Sequence, residues 1–249
     1  MITSCNTGGN KRELEAKKAE AVKSYANLVY NNYSDALATA KTMKDAIKAM
    51  TDNPSEVTMD AARQAWLAAR EPYGQSEAFR FYGGPIDDED GPEGRINAWP
   101  LDESYIDYVD GASNGDNPAD NVNTNIINSP DAFPEITAEL IASLNEDGGE
   151  TNVSSGFHAI EFLLWGQDMS SGAGGGDRSF SDYIEGGVVA NADRRATYIN
   201  AVADLLVSDL QYLASEWAAD GAYRAVFTAD TEINNSIEKN ISGNGKISK

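Results

Sequence analysis

The chain holds one histidine, His158, and one cysteine, Cys5. A single cysteine excludes an internal disulfide. A single histidine excludes every centre that needs two imidazoles, including the His-Glu-x-x-His arrangement of zinc proteases. No run approaches ~20 consecutive apolar residues, so nothing in the sequence reads as a membrane-spanning helix. Strand alternation of useful length is missing as well. Basic residues are scarce: 19 Lys and Arg against 40 Asp and Glu give a formal charge of −21 over 249 residues. That balance removes the basic face that nucleic acid requires and opposes adsorption to anionic lipid. No Gly-x-Ser-x-Gly elbow presents a serine nucleophile. The glycine-rich stretch 170–176 lacks the Gly-Lys-Ser/Thr ending of a phosphate loop.

What is present is helical periodicity. Over 13–50 the apolar positions Val22, Tyr25, Val29, Ala36, Ala40, Met43, Ile47 and Met50 recur at helical spacing, which predicts one long amphipathic helix. Asp52-Asn53-Pro54 stops it. A second helix is expected over 55–79 with Ala62, Trp66 and Ala69 inward, and with Pro72 kinking or dividing it. From 81 to 121 glycine and proline recur and neither period persists. Trp99, Leu101, Tyr105, Ile106 and Tyr108 supply apolar anchors there, which predicts an ordered loop wrapped on the body with one short helix near 102–109. Short helices are expected from Ile126 and over 134–144, and another over 154–167. Two more close the chain, one carrying Ile199, Val202, Leu206, Leu210, Leu213 and Trp217, the other Val226, Ile233, Ile237 and Ile241. The fold class is all-α, built as packed long helices with one long ordered irregular loop.

The chemistry centres on Gly156-Phe157-His158-Ala159-Ile160-Glu161. Residues three apart share a helix face, so the imidazole and the carboxylate address one spot, the minimal start of a transition-metal site. Phe157, Ile160, Leu163 and Leu164 make the helix apolar nearly all round, which predicts that the His158–Glu161 stripe faces protein and that Glu161 needs a partner. Two readings stand: a core histidine bonded to its i+3 glutamate, and a mononuclear metal site completed by Asp, Glu, Tyr or water. Between 86 and 120 there are eleven acids, and Arg95 is the only base. Asp87-Asp88-Glu89-Asp90 lacks the alternation of an EF-hand loop and reads as a solvated run. Asp102, Glu103 and Glu77, beside aromatic and apolar neighbours, are better placed to turn inward as further metal ligands. Arg95 is expected to order the loop through ion pairs. Gly156 costs up to ~1 kcal/mol relative to alanine inside a helix. Either close approach by another backbone or ligand, or a helix start beside Ser154 or Ser155, accounts for it.

Longer runs carry a family likeness. Trp66, the stretch 70–86 (Arg70-Glu71-Pro72-Tyr73 through Gly83-Gly84-Pro85-Ile86), the stretch 91–103 around Trp99-Pro100-Leu101-Asp102-Glu103, the Gly-x-His-x-x-Glu helix running to Asp168, and Asn191-Ala192-Asp193-Arg194-Arg195 resemble the imelysin family, in its iron-regulated protein A subgroup. The resemblance implies an all-α fold of two helical bundles and a metal-linked role at Gly156, His158 and Glu161. Iron is the first ion it implies, with zinc or copper next. It also implies a place in the periplasm or on the outer membrane, with membrane contact only through a lipid anchor. Metal ions, an iron-bearing small ligand and envelope iron-transport components are the partners that follow. Ile2-Thr3-Ser4-Cys5 has the small-residue approach of a lipoprotein cleavage site, with 1–12 as a tether and 13–249 as the helical domain. Compared with the family, that domain is expected to lack much of the second bundle. The family's other label is metallopeptidase. One His-x-x-Glu pair with no separate base is thin equipment for hydrolysis and favours metal capture. A surface-anchored structural or interaction module is the reading without a metal.

Overall fold

The computed structural model describes residues 7–80, 82–109, 125–171 and 175–229. Helix α1 (Thr7–Asp52) runs 46 residues and turns Ala26, Val29, Tyr33, Ala36, Ala40, Met43, Ile47 and Met50 fully inward. It begins inside the span expected as a tether, and residues 1–6 lie outside the described residues. Helix α2 (Glu56–Gln75) opens on a capping box: Ser55 Oγ accepts from Thr58 N at 3.2 Å, and Thr58 Oγ1 accepts from Ser55 N at 3.0 Å. Met59, Ala62, Trp66, Ala69 and Tyr73 form its buried stripe. Pro72 does not divide it. The helix continues to Gln75 and tightens into a 3₁₀ turn at Ser76–Phe79, while Pro72 O accepts from Asn32 Nδ2 of α1 at 2.9 Å.

Helix α7 (Ala192–Trp217) is the third long element, and α1 packs along both α2 and α7. The short α6 (Gly156–Trp165) lies against α7 and α2, and α8 (Ala222–Ala229) buttresses α7 and α1. No strand occurs among the described residues. The irregular region carries two short helices rather than one, α3 (Glu93–Asn97) and α4 (Glu103–Ile106), both against α6. The helix expected from Ile126 is a turn instead. Ile126 and Ile127 donate their backbone N–H groups to Tyr105 O (3.2 Å) and Ile106 O (3.1 Å), so tertiary pairing replaces the helical bond. Helix α5 (Ala138–Leu144) starts later than expected because Thr137 caps it, accepting from Leu140 N at 3.1 Å. The part of the last expected helix beyond Ala229 falls outside the described residues, as does the loop stretch 110–124.

One buried charge cluster fastens the irregular region to the bundle. Asp107, just past α4, is fully buried; Arg195 on α7 donates to it twice (Nε at 2.6 Å, Nη2 at 3.0 Å), and Arg178 donates through Nη1 at 2.8 Å. Asn128 Nδ2 adds a 3.2 Å bond, and Arg178 Nη1 also reaches Asp182, 3.3 Å away, which accepts from Tyr108 OH at 2.7 Å. The Arg178 guanidinium stands 5.1 Å from the ring centres of Tyr108 and Phe162. Burial by itself drives the Asp107 pKa up, but the Arg195 hydrogen bond and the charges of both arginines outweigh it and hold the carboxyl below its ordinary 3.8.

Breaking such a cluster leaves a buried charge short of partners, which costs about 3–5 kcal/mol. Arg195→Met is therefore expected to lower the melting temperature by roughly 10 °C. Because the folded pKa of Asp107 is depressed, its stabilisation is complete above pH 3.8 and disappears as pH falls through the lower folded value. The variant should accordingly unfold at a higher pH than the parent in an acid titration followed by circular dichroism. A change under ~1 kcal/mol would show that the cluster contributes little.

Candidate metal centre

The His158 helix is aimed by its first residue. Gly156 opens α6 at φ +79°, in the left-handed region, and a Cβ there would stand 2.4 Å from Ile96 O and 2.5 Å from Arg95 O. The last turn of α3 thus presses its carbonyls onto the start of α6, and only glycine admits that approach. Ser155 Oγ donates to Arg95 O at 2.8 Å. Asn145 clamps the same corner: its Oδ1 accepts from Ser154 N at 3.1 Å and its Nδ2 donates to Gly94 O at 3.0 Å. Tyr198 OH of α7 donates to Ser154 O at 2.6 Å. Of the two explanations open for Gly156, both hold together: it begins the helix, and a second backbone lies against it. Arg95 pairs with Asp209 of α7 through Nε (3.2 Å) and Nη2 (2.9 Å), so it ties the loop to the bundle rather than to its own acids.

From that corner the helix lays Phe157, Ile160, Leu163 and Leu164 into the core and leaves the opposite stripe at the edge. The stripe lies at the rim of the core: the His158 side chain, 17% exposed, faces mostly protein as expected, whereas Glu161, 42% exposed, reaches solvent. Nearly all-round hydrophobicity misleads here because α3 and α4 cover only part of the helix. His158 Nδ1 stands 3.0 Å from Glu161 Oε2. With Nδ1–H donated to the carboxylate, the imidazole is held in the tautomer whose Nε2 lone pair is available to a metal, as carboxylate–histidine pairs do in metal sites.

The remaining predicted ligands stand elsewhere. Glu77, in the 3₁₀ turn after α2, is 63% exposed and pairs with Arg80 Nη1 at 3.2 Å. Asp102 is fully buried as the N-cap of α4, accepting from Ser104 N (3.0 Å) and Ser104 Oγ (2.7 Å). Glu103 points one oxygen, Oε2, into a buried position where no hydrogen bond reaches it among the described residues, and burial raises its pKa. No three His, Cys, Asp or Glu side chains are grouped to hold a metal among the described residues. The donor chemistry of the His158–Glu161 pair fits an ion bound at an open position. Its other coordination sites fall to water or to ligands the ion carries.

Two neighbours escaped the reading from periodicity. Trp99 lies with its ring centre 4.8 Å from that of His158 and remains 69% exposed. Arg70 of α2 sits on a bed of rings, its guanidinium carbon 5.0 Å from the Phe157 centre and 5.8 Å from those of Trp66 and Tyr73. Its Nη1 donates to Asn97 Oδ1 at 2.6 Å. Burial lowers the Arg70 pKa, with Tyr73 and Glu161 opposing that shift. No period marks a residue one step from a buried stripe. A cleft of about 330 Å³ between Tyr108, Trp165, Met169 and Arg178 lies along the far end of α6, and its lining includes neither His158 nor Glu161.

Fold and site together define an all-α protein whose longest helices frame a short helix bearing one histidine–glutamate pair, the histidine largely buried and the glutamate partly exposed. The chain belongs to the imelysin family: the family's model, imelysin (peptidase M75), matches residues 29–247. It is 36% identical over 79 residues to Iron-regulated protein A of Synechococcus elongatus, an alignment covering 32% of this chain and 21% of that protein. The fold is similar, at a TM-score of 0.63 and 22% identity, to the crystal structure of a protein assigned as an iron-regulated protein A precursor from Parabacteroides distasonis, over 91% of this chain and 55% of that one. This chain thus spans just over half of the structural relative and a much smaller share of the cyanobacterial one.

The corner predicts a sharp glycine requirement. Gly156→Ala combines a strained left-handed backbone, costing ~1–3 kcal/mol, with a clash against two carbonyl oxygens. We expect a melting temperature lower by at least about 5 °C and faster amide exchange in α3 and α6. A variant as stable as the parent would mean that α3 yields at no cost.

Proposed function

We propose that this protein captures metal, with iron as its cargo, in an iron-related role of the imelysin type. The observation that carries the reading is the His158–Glu161 pair, bonded at 3.0 Å on a helix fixed at a glycine corner, with its glutamate open to solvent and its histidine at the rim. His158 Nε2 is the ligand atom, and Glu161, bonded to Nδ1 on the other side of the ring, fixes its tautomer and direction. Family membership and the iron-regulated relatives support the choice of iron over zinc or copper. The remainder of the proposal is a location in the cell envelope, anchored by lipid at Cys5, with delivery to iron-transport components. Residues 1–6 lie outside the described residues, and no described helix is long and apolar enough to cross a membrane.

A metal-dependent endopeptidase is the second reading, favoured by the family's peptidase designation. It predicts chelator-sensitive cleavage of an unfolded substrate, abolished by Glu161→Gln. Capture predicts no cleavage, and a metal affinity that Glu161→Gln lowers about 10–100-fold.

The deciding measurement is metal content by mass spectrometry on untagged protein incubated with each ion, beside His158→Ala. Near-stoichiometric metal that vanishes in the variant is expected. Metal retained equally by both proteins would remove His158 from the site.

A further inference from the structure

An arginine packed against the histidine helix is out of place for a site that takes a bare cation. In a chain with 40 acids and 19 bases, a half-buried guanidinium is fixed over the ring of Phe157, the residue before the one imidazole. It rests against three aromatic rings. Among the described residues its only hydrogen bond is the one to Asn97, and none of its other nitrogens is sealed away from solvent. Glu161 feels its charge, but the two do not form an ion pair. Glu161 spends its close contact on His158 instead.

Three connections put Arg70 and His158 on one site. Asn97, which holds Arg70, is two residues from Trp99, which covers His158. Phe157, under the guanidinium, is the residue before His158. Trp66 Nε1 donates to Phe157 O at 2.9 Å, so the helix carrying Arg70 is pinned to the helix carrying His158. A bare dication arriving at His158 would be repelled by this neighbouring positive charge. An ion that brings an anionic oxygen ligand satisfies both sides. The metal takes the imidazole, the carboxylate oxygens take the open guanidinium donors, and Trp99 offers an exposed ring face to the chelate. Arginine is suited to the second contact because its planar fork matches a carboxylate in a way that a lysine point charge does not.

We propose that Arg70 is the anion contact of the His158 site, and that the cargo is a metal ion carrying a carboxylate chelate rather than a bare cation. The inference rests on the metal-capture reading above. It also accounts for how few donors the protein brings: the chelate fills the positions that the protein leaves open.

The test uses ferric citrate and zinc ion as probes on untagged protein, by calorimetry and by equilibrium dialysis with labelled citrate. Arg70→Gln should weaken ferric citrate binding about tenfold or more, the worth of a charge-assisted hydrogen bond, while zinc affinity stays the same or tightens. Arg70→Lys should recover only part of the loss, and His158→Ala should lose both probes. Equal weakening of both probes by Arg70→Gln, or of neither, overturns the proposal. The parent protein gives a readout that needs no variant: citrate should be retained with iron in stoichiometric amount. Iron retained without citrate, or zinc bound while ferric citrate is refused, overturns the anion contact and leaves the metal site standing. A parent protein that binds neither probe overturns both.

Discussion

A carboxylate that cannot reach water has to be satisfied from within, and Asp107 sets that demand at the centre of this molecule. Removing it from solvent is costly, so two arginines converge on it from different parts of the chain, Arg195 from α7 and Arg178 from the segment after α6. The segment that ends at Asp107 has little regular hydrogen bonding of its own, and this contact fastens it to the longest helices. Phe162 and Tyr108 sit against the Arg178 guanidinium, so the far end of the histidine helix is packed on the same cluster. Loop, connector and bundle therefore share one anchor.

At its other end, that helix is held by backbone contact rather than charge. The carbonyls of Arg95 and Ile96 rest on Gly156, and Asn145, Ser155 and Tyr198 close the remaining bonds around the corner. Fixed at both ends, the helix presents His158 and Glu161 at an edge that α3 and α4 leave uncovered. The result is a stiff base under an open top. Stiffness sets the imidazole's tautomer and direction. Exposure of Glu161 leaves the pair accessible from solvent. The aromatic bed beneath Arg70 extends the same design, since it orders a guanidinium without cancelling its charge.

The three long helices were legible because each buries one stripe, and a stripe leaves a period. Val29, Met43 and Ile47 of α1 and Leu206, Leu210 and Leu213 of α7 are buried where the spacing put them. The His–Glu pair was legible for the same reason, being three apart on a helix. Asp107, Arg178 and Arg195 left no such mark: an aspartate in a glycine-rich acidic loop looks solvated until the fold brings arginines to it. Pro72 was expected to kink or divide its helix, which runs on undivided to Gln75, and Ile126 was read as a helix start where tertiary hydrogen bonds overrode local preference.

The amino-acid order alone thus determined the all-α class, the long helices, the pairing of His158 with Glu161 and the family. Each follows from short-range spacing or from runs of identity. Only the tertiary structure decided that the pair stands at the rim of the core, that Glu77 and Asp102 serve Arg80 and a helix cap, that Trp99 lies against the histidine and that Arg70 lies over Phe157. Those facts depend on which face of a helix its neighbours happen to cover. Residues far apart in the chain settle that, and no local pattern records it.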